Sequence, residues 1–141
     1  MNGICCNALR ILNKYLSPKK IAHSLRVAQY ALEDYDFFEY PAVKNYEDIF
    51  ITAILHDVVE DSKCTFEDLK LEGIPDHYIA CLKELTKGEK EEYLHYIQRI
   101  SNGSAMAIIV KKADIKDHLL LKDTLTDELK DKYLPAIPYI L

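Results

Sequence analysis

Apolar residues recur at helical spacing along almost the whole chain, and this pattern limits the fold more than any other feature of the sequence. Ala8, Ile11 and Tyr15, for example, fall on one face of a first helix. No segment alternates apolar and polar residues between hairpin turns, as β-strands would require. The chain has only 4 glycines and 5 prolines, too few for a turn-rich sandwich. The sequence therefore predicts an all-α protein.

Capping residues divide the helical pattern into separate helices. Ser17, followed by a proline, is typical of a helix N-cap, and Thr65 with Asp68 forms a capping-box pattern. The main predicted helices lie at about residues 4–15, 18–32, 49–59, 76–85, 89–100, 105–121 and 127–133. Pro135 and Pro138 are expected to end the regular structure.

Length, charge and cysteine content limit the class of protein further. At roughly 100–200 residues per domain, a chain of 141 residues is predicted to form one domain over residues 1–141. A net charge of −5 disfavours binding to a nucleic acid polymer or to an anionic membrane. The four cysteines form no C-x-x-C motif, and neither a signal peptide nor a membrane-spanning run is recognisable. These features predict a cytoplasmic protein with reduced cysteines.

The segment richest in reactive groups is HDVVED at residues 56–61. An apolar run at residues 50–55 precedes it, so a buried helix delivers four ionisable groups. Buried charges need charged partners or a metal ion. An imidazole beside a carboxylate suits a divalent transition metal. The alternative is a solvated acidic helix end, which the preceding apolar run disfavours.

Two neighbouring residues cannot close a metal site, so further ligands should come from other parts of the chain. His23 lies among apolar residues of the second helix, and Asp114 follows an apolar run on a later helix. Taken alone, His23 could be a satisfied core histidine, and Asp114 could pair with Lys111 or Lys112. Together with the His-Asp pair, their order along the chain favours a shared metal site.

This order of residues resembles the HD superfamily of metal-dependent phosphohydrolases, whose H…HD…D pattern lies on a bundle of helices. A narrower resemblance is to the branch that hydrolyses guanosine tetraphosphate (ppGpp), which includes Rel/SpoT proteins and small single-domain relatives. The HDVVED segment matches the HDxxED element of that branch. Other short elements follow in the same order: a Thr-rich helix start at 65–69, an LT[KR] element at 85–87 and a VKLAD-like element at 110–114.

The resemblance implies an HD-type helical bundle, an enzyme, and a role for each residue. The metal ligands would be His23, His56, Asp57 and Asp114, holding one divalent cation, with Mn²⁺ as the expected metal. Glu60 and Asp61 would be catalytic, placed one helical turn beyond the ligands, with one of them positioning or deprotonating the attacking water.

The implied substrate is a small phosphorylated nucleotide, and the implied reaction is 3′-pyrophosphate hydrolysis of ppGpp. Two alternatives stay open at this point. One is another HD reaction, that of a nucleotidase or phosphodiesterase. The other is a catalytically weak HD domain that binds a nucleotide and regulates a partner.

The chain departs from that branch around the final aspartate. Where the branch usually has Arg and Asn, at the first and fourth positions after Asp114, this chain has Ile115 and His118. His118 lies one helical turn after Asp114, so it could contact a phosphate or ribose, or act as an acid. The region before the first histidine is short, and Lys19 and Lys20 are the candidates there for phosphate contacts. Their alternative role is that of ordinary solvated lysines.

Two further histidines, His77 and His95, occupy the interval in which some HD enzymes place ligands for a second metal. Both lie among polar residues, so exposed side chains and a one-metal site are predicted. A scattered basic set is assigned to the solvated surface: Lys83, Lys87, Lys90 and Arg99.

Overall fold

The computed structural model describes residues 3–121 and 126–140, and these residues form helices joined by short turns. The helices are α1 (Gly3–Tyr15), α2 (Pro18–Asp34), α3 (Tyr46–Leu55), α4 (Phe66–Leu71), α5 (Asp76–Leu85), α6 (Tyr93–Ser101), α7 (Ala105–Leu120), α8 (Asp127–Tyr133) and α9 (Ile137–Ile140), with a 3₁₀ turn at Leu134–Ala136. No β-strand occurs in these two ranges. The all-α prediction is confirmed.

Two of the predicted helix starts show the expected capping contacts. The Ser17 hydroxyl accepts a hydrogen bond from the Lys20 N–H at the start of α2. At the start of α4, Thr65 and Asp68 bond each other's main-chain N–H groups, which completes a capping box. These bonds satisfy N–H groups that have no partner within the helix, so each helix begins at a defined residue.

Helix α3 forms the centre of the bundle. Its sequence is apolar on nearly every side, and Ile49, Ile51 and Ile54 are fully buried. A helix of this kind requires neighbours all round, and α1, α2, α5 and α7 pack against it. Each buried aliphatic side chain contributes about 1.5–3 kcal/mol to folding. The end of this rigid central helix is where HDVVED begins.

Helix α3 ends at Leu55, four residues earlier than the sequence predicts. The carbonyl of Ala53 accepts hydrogen bonds from both the main-chain N–H and the Nδ1 of His56. Because these two bonds occupy the Ala53 carbonyl, it does not accept the main-chain hydrogen bond that would continue the α-helix. The chain turns instead, with a bond from the Val58 N–H to the Leu55 carbonyl. As a result, the HDVVED residues lie on a turn rather than on a straight helix.

Two other boundaries differ from the prediction. Helix α6 begins at Tyr93 rather than near residue 89, because the Glu91 side chain closes a turn by accepting from the Gly88 N–H. The expectation that Pro135 and Pro138 end the regular structure is wrong, since they lie within the 3₁₀ turn and α9. Proline is tolerated in a first helical turn, where its missing N–H costs no hydrogen bond.

Candidate metal centre

The four predicted ligands come from three parts of the bundle and meet at one point. His23 lies on α2, His56 and Asp57 follow α3 directly, and Asp114 lies on α7. Each offers one ligand atom, and these atoms all lie within 4.8 Å of one another. The structure therefore brings together residues that are 91 positions apart in the sequence. Packing of α2 and α7 against the end of α3 produces this convergence.

Short contacts link the two histidines to the two aspartates. Nε2 of His23 lies 2.9 Å from Oδ1 of Asp114 and 3.3 Å from Oδ2 of Asp57. Nε2 of His56 lies 3.1 Å from Oδ2 of Asp57 and 3.3 Å from Oδ1 of Asp114. His56 and Asp114 are each only 3% exposed. Both imidazoles thus present the same ring nitrogen to a pair of carboxylates, of which Asp114 is buried and Asp57 partly buried.

This donor set could bind a divalent metal ion. Two imidazole nitrogens and two carboxylate oxygens form the mixed N/O environment that Mn²⁺, Fe²⁺ and Zn²⁺ accept. The Nδ1 of His56 bonds to the Ala53 carbonyl at 2.5 Å, which orients Nε2 toward the centre. The residues present therefore fit a metal ion of this kind, and we refer to His23, His56, Asp57 and Asp114 as the HD cluster.

Attraction within the HD cluster outweighs the cost of burying its charges. Burial lowers the pKa of His23, but its bonds to Asp114 and Asp57 raise it to about 10. Burial opposes the charge on His56 as well, yet the Asp57 carboxylate holds that pKa well above its ordinary value. Burial raises and the neighbouring cations lower the pKa values of Asp57 and Asp114, with a net lowering. In the metal-free cluster, these shifts therefore favour protonated imidazoles beside ionised carboxylates.

Metal binding at pH 7 is expected to release about two protons per ion, because both imidazoles must be neutral to act as ligands. The pKa of His23 is raised to about 10, so alkaline pH removes its proton and strengthens metal binding, whereas acid weakens it. Calorimetric titration with Mn²⁺ in buffers of different ionisation enthalpy measures the proton count. A count near zero would contradict the protonated histidine pair.

Lys111 is the buried cation beside the HD cluster. Its Nζ lies 2.7 Å from Oδ2 of Asp114, and its side chain is 8% exposed. The ammonium group also lies 4.9 Å from the centroid of the Tyr96 ring. Of the two lysines considered from the sequence, Lys112 turns away and donates to the Tyr40 hydroxyl at 2.7 Å. Asp114 therefore uses one oxygen for Lys111 and the other for the histidines.

Asp114→Asn is expected to lower the free energy of unfolding of the metal-free protein by about 3–5 kcal/mol, since it leaves a buried lysine without its counterion. Urea unfolding in the presence of a chelator measures this loss. The matched control is Asp34→Asn, which removes an exposed carboxylate paired with Lys116 at 2.9 Å and should change stability little. An equal effect of the two substitutions would refute the role of the buried pair.

A cavity of about 690 Å³ opens from the HD cluster. Glu60 and Asp61 line it, although they lie on the turn after α3 and not on a continuing helix as predicted. The Glu60 carboxylate accepts a hydrogen bond from the Lys87 N–H at 3.2 Å. Partial burial and the nearby Asp57 carboxylate raise the pKa of both groups. Two further carboxylates with raised proton affinity thus face the same space as the cluster.

Basic side chains surround this cavity, and we call them the basic rim: Lys19, Lys20, Arg26, Lys87 and Lys132. Lys20 donates to the main-chain carbonyl of Asp61 at 3.2 Å, so the predicted pair of lysines lies beside the HDVVED turn. The assignment of Lys87 to the solvated surface is wrong, since it lines the cavity. Burial and the charge of Lys111 lower the pKa of Lys132. The basic rim therefore places cationic groups around a cavity whose lining also includes the carboxylates of Asp57, Glu60, Asp61, Asp114 and Asp117.

The two positions that depart from the resembled pattern, 115 and 118, line different cavities beside α7. His118 lines the cavity, with Nε2 at 3.3 Å from Oδ1 of Asp114 and its ring stacked on Tyr133 at 4.7 Å. Ile115 does not line this cavity but a separate apolar one of about 430 Å³. The change at position 115 therefore does not alter the surface that a ligand of the HD cluster would contact.

The sequence analysis does not identify several of the side chains that complete the cavity. Tyr93 and Tyr133 line it, but they lie on α6 and α8, and neither is close in sequence to a ligand. Arg26 and Asp117 were also missed, although each lies three residues after a ligand on the same helix face. The spacing of three residues from a ligand is the sequence signal by which they could have been identified.

The remaining histidines lie outside the centre. His77 is exposed, and the His95 side chain is 68% exposed and bonds to Glu91. Within the described residues, the grouping of potential metal ligands contains only the HD cluster. The prediction that both histidine side chains are exposed is confirmed.

The helical bundle and the HD cluster between α2, α3 and α7 define an HD-domain fold. A metazoan ortholog of SpoT, reported to hydrolyse ppGpp and to play a role in starvation responses, has a similar structure. The TM-score is 0.69 at 21% sequence identity, and the match covers 97% of this chain and 82% of that one. No protein-family model matches the sequence, and no curated protein matches it significantly. The likeness establishes the HD-domain helical bundle.

No helix within residues 3–121 and 126–140 is both long enough and apolar enough to cross a bilayer.

Proposed function

We propose that this protein is a divalent-metal-dependent phosphohydrolase that acts on ppGpp and removes its 3′-pyrophosphate. The observation that carries the proposal is the HD cluster at the base of a cavity with a basic rim. The fold of the ppGpp-hydrolysing SpoT ortholog supports the same choice of substrate. The sequence also resembles the ppGpp-hydrolase branch in its HDVVED segment and its VKLAD-like element, and this resemblance supports the same substrate.

The HD cluster would hold the metal ion, with Mn²⁺ as the proposed ion. A bound divalent ion supplies a Lewis acid and lowers the pKa of a coordinated water. The protein contributes the orientation of its ligands. Bonds from the Nδ1 atoms of His23 and His56 to Asp117 and to the Ala53 carbonyl direct both Nε2 atoms into the centre. The buried position of Asp114 and His56 limits competing solvent.

Glu60 and Asp61 are the proposed catalytic carboxylates. Both face the cavity, and neither is a member of the HD cluster. The bond from the Lys87 N–H fixes Glu60 at the cavity wall, so its carboxylate can hold an attacking water in one position. A raised pKa suits a group that accepts a proton from water. Asp61 lies beside it and can assist or replace it in this role.

The basic rim is proposed to bind the phosphates of the substrate. Lys19 and Lys20 lie at the start of α2, and Lys87, after α5, lines the same cavity. Cationic side chains grouped at the edge of a cavity attract polyanions and speed their approach. A nucleotide with two pyrophosphate groups carries several negative charges, and ppGpp therefore matches the rim better than a nucleoside monophosphate does.

His118 is the proposed contact for a ribose or phosphate oxygen. It stands one helical turn from Asp114, at the place where the resembled branch has Asn, and it still lines the cavity. Stacking on Tyr133 holds the ring plane. An imidazole N–H can donate to an oxygen much as an Asn amide can.

In the proposed reaction, the oxygen of water forms a bond to the phosphorus attached to the ribose 3′-oxygen. The bond between that phosphorus and the 3′-oxygen breaks, and the 3′-oxygen takes up a proton. The products are GDP and pyrophosphate.

A nucleotide panel tests the choice of substrate. The protein is incubated with Mn²⁺ and ppGpp, nucleoside monophosphates, or cyclic dinucleotides, and the products are separated by chromatography. We expect ppGpp to be consumed fastest. Preferred turnover of a monophosphate or cyclic dinucleotide would move the function to another HD reaction. Nucleotide binding without any product would favour a regulatory module instead.

A further inference from the structure

His23 is held at both of its ring nitrogens, and the second contact has no part in the HD cluster. Its Nε2 faces Asp114 and Asp57, whereas its Nδ1 lies 2.6 Å from Oδ2 of Asp117. Asp117 is 1% exposed. A buried carboxylate at this distance is one of the strong hydrogen-bond acceptors available to an imidazole.

Arg26 fixes this carboxylate in place. Its Nε donates to Oδ1 of Asp117 at 2.7 Å, and its Nη2 donates to Oδ2 at 3.0 Å. Two parallel bonds of this kind set both the position and the plane of the carboxylate. Because Arg26 and His23 lie one turn apart on α2, the arginine and histidine approach Asp117 on α7 side by side.

We propose that Asp117, clamped by Arg26, is a positioning residue that keeps the proton of metal-bound His23 on Nδ1. The inference rests on the proposed metal-dependent function. A neutral imidazole carries one ring proton, and only the unprotonated nitrogen can bind a metal. Because Asp117 accepts a hydrogen bond from the Nδ1–H, the proton stays on Nδ1 and the Nε2 lone pair is directed into the HD cluster. Carboxylates in this position also make the histidine a stronger ligand.

The two histidines of the cluster differ in this respect. The Nδ1 of His56 bonds to a neutral main-chain carbonyl, that of Ala53. The Nδ1 of His23 bonds to an anionic side chain, and that support can be changed by substitution without touching a ligand. His23 is thus the ligand whose orientation depends on a replaceable residue.

Asp117→Asn is the informative substitution. The amide offers one acceptor oxygen where the carboxylate offers two, so it cannot satisfy the Nε and Nη2 groups of Arg26 and the Nδ1–H of His23 together. It also lacks the negative charge that favours a proton on Nδ1, so the tautomer with its proton on Nε2, the atom needed for the metal, becomes more populated. The expected result is a dissociation constant for Mn²⁺ that is about 10–100-fold weaker.

The matched control is Asp34→Asn. Asp34 also forms a bridge between α2 and α7, to Lys116 at 2.9 Å, but it does not line the metal cavity. Both variants lose one carboxylate between the same two helices. Calorimetric titration with Mn²⁺ should show wild-type affinity for Asp34→Asn and weakened affinity for Asp117→Asn.

A spectroscopic readout separates positioning from general destabilisation. In the Zn²⁺-loaded wild-type protein, ¹⁵N–¹H correlation spectra of the histidine rings should show a protected Nδ1–H for His23, and Asp117→Asn should lose it. If Asp117→Asn does not fold, Arg26→Gln retains the carboxylate without its clamp. That variant should weaken Mn²⁺ binding measurably, but by less than the roughly 10–100-fold expected for Asp117→Asn.

Wild-type Mn²⁺ affinity and an intact Nδ1–H signal in Asp117→Asn would overturn the inference and leave the proposed function standing. Wild-type affinity in Arg26→Gln would overturn the role of the clamp. Failure of the wild-type protein to bind Mn²⁺ would instead overturn the proposed function as well.

Discussion

Asp57→Ala is expected to abolish both Mn²⁺ binding and nucleotide hydrolysis while the protein remains folded. Asp57 contacts both cluster histidines, at 3.3 Å and 3.1 Å, so its loss removes one of the four ligand atoms. The effect should exceed the roughly 10–100-fold loss caused by changes in groups that only support ligands. Its side chain is 17% exposed, against 5% for Asp114, and the two histidines can become neutral when the carboxylate is lost, so folding should tolerate the change.

The comparison variant is Asp76→Ala, in which an equally sized change removes an aspartate that is 84% exposed at the start of α5. Calorimetric titration gives metal affinity, and chromatography of the reaction products gives turnover. Full activity of Asp57→Ala in the presence of Mn²⁺ would rule out the HD cluster as the metal site.

Glu60→Gln is expected to lower kcat by about 10²–10⁴-fold with little change in Mn²⁺ affinity, because a general base contributes roughly that much. Glutamine keeps an oxygen that can accept from the Lys87 N–H, so the side chain should remain in place. It cannot take a proton from water. The kcat of Asp61→Asn, measured in parallel, shows how much each of the two carboxylates contributes to catalysis.

Glu89→Gln provides the control for Glu60→Gln, since Glu89 is exposed on the loop before α6 and does not line the cavity. Both kcat and the dissociation constant for Mn²⁺ are needed. Wild-type kcat in both Glu60→Gln and Asp61→Asn would eliminate the proposed catalytic carboxylates. Loss of Mn²⁺ binding in either variant would make that residue a ligand instead.

Much of the fold could be predicted because local signals and packing agree. Ser17 and Thr65 are capping residues at the starts of helices, and the apolar segment after Asn45 becomes the central helix α3. The end of α3 could not be predicted, because it depends on the His56 side chain binding the Ala53 carbonyl. Periodicity reports which residues are apolar, but it does not report competition for a main-chain carbonyl.

The candidate site likewise has a part that the sequence predicts and a part that it does not. An imidazole and carboxylates on apolar helices, in a recognisable order, indicated residues that the structure brings within 4.8 Å. Lys87 was assigned to solvent because nothing in its local sequence shows that the chain after α5 returns to the HDVVED turn. Tyr133 was not considered as a site residue, since its contact with His118 joins α7 and α8. Such contacts arise from tertiary packing alone.

The most direct test of the central claim is to incubate the protein with ppGpp and Mn²⁺ in H₂¹⁸O and to follow the products by ³¹P NMR. We expect equal amounts of GDP and pyrophosphate, with ¹⁸O in the pyrophosphate, and no product when Mn²⁺ is removed by a chelator. Orthophosphate as the first product, or no turnover while Mn²⁺ remains bound, would contradict metal-dependent 3′-pyrophosphate hydrolysis by this protein.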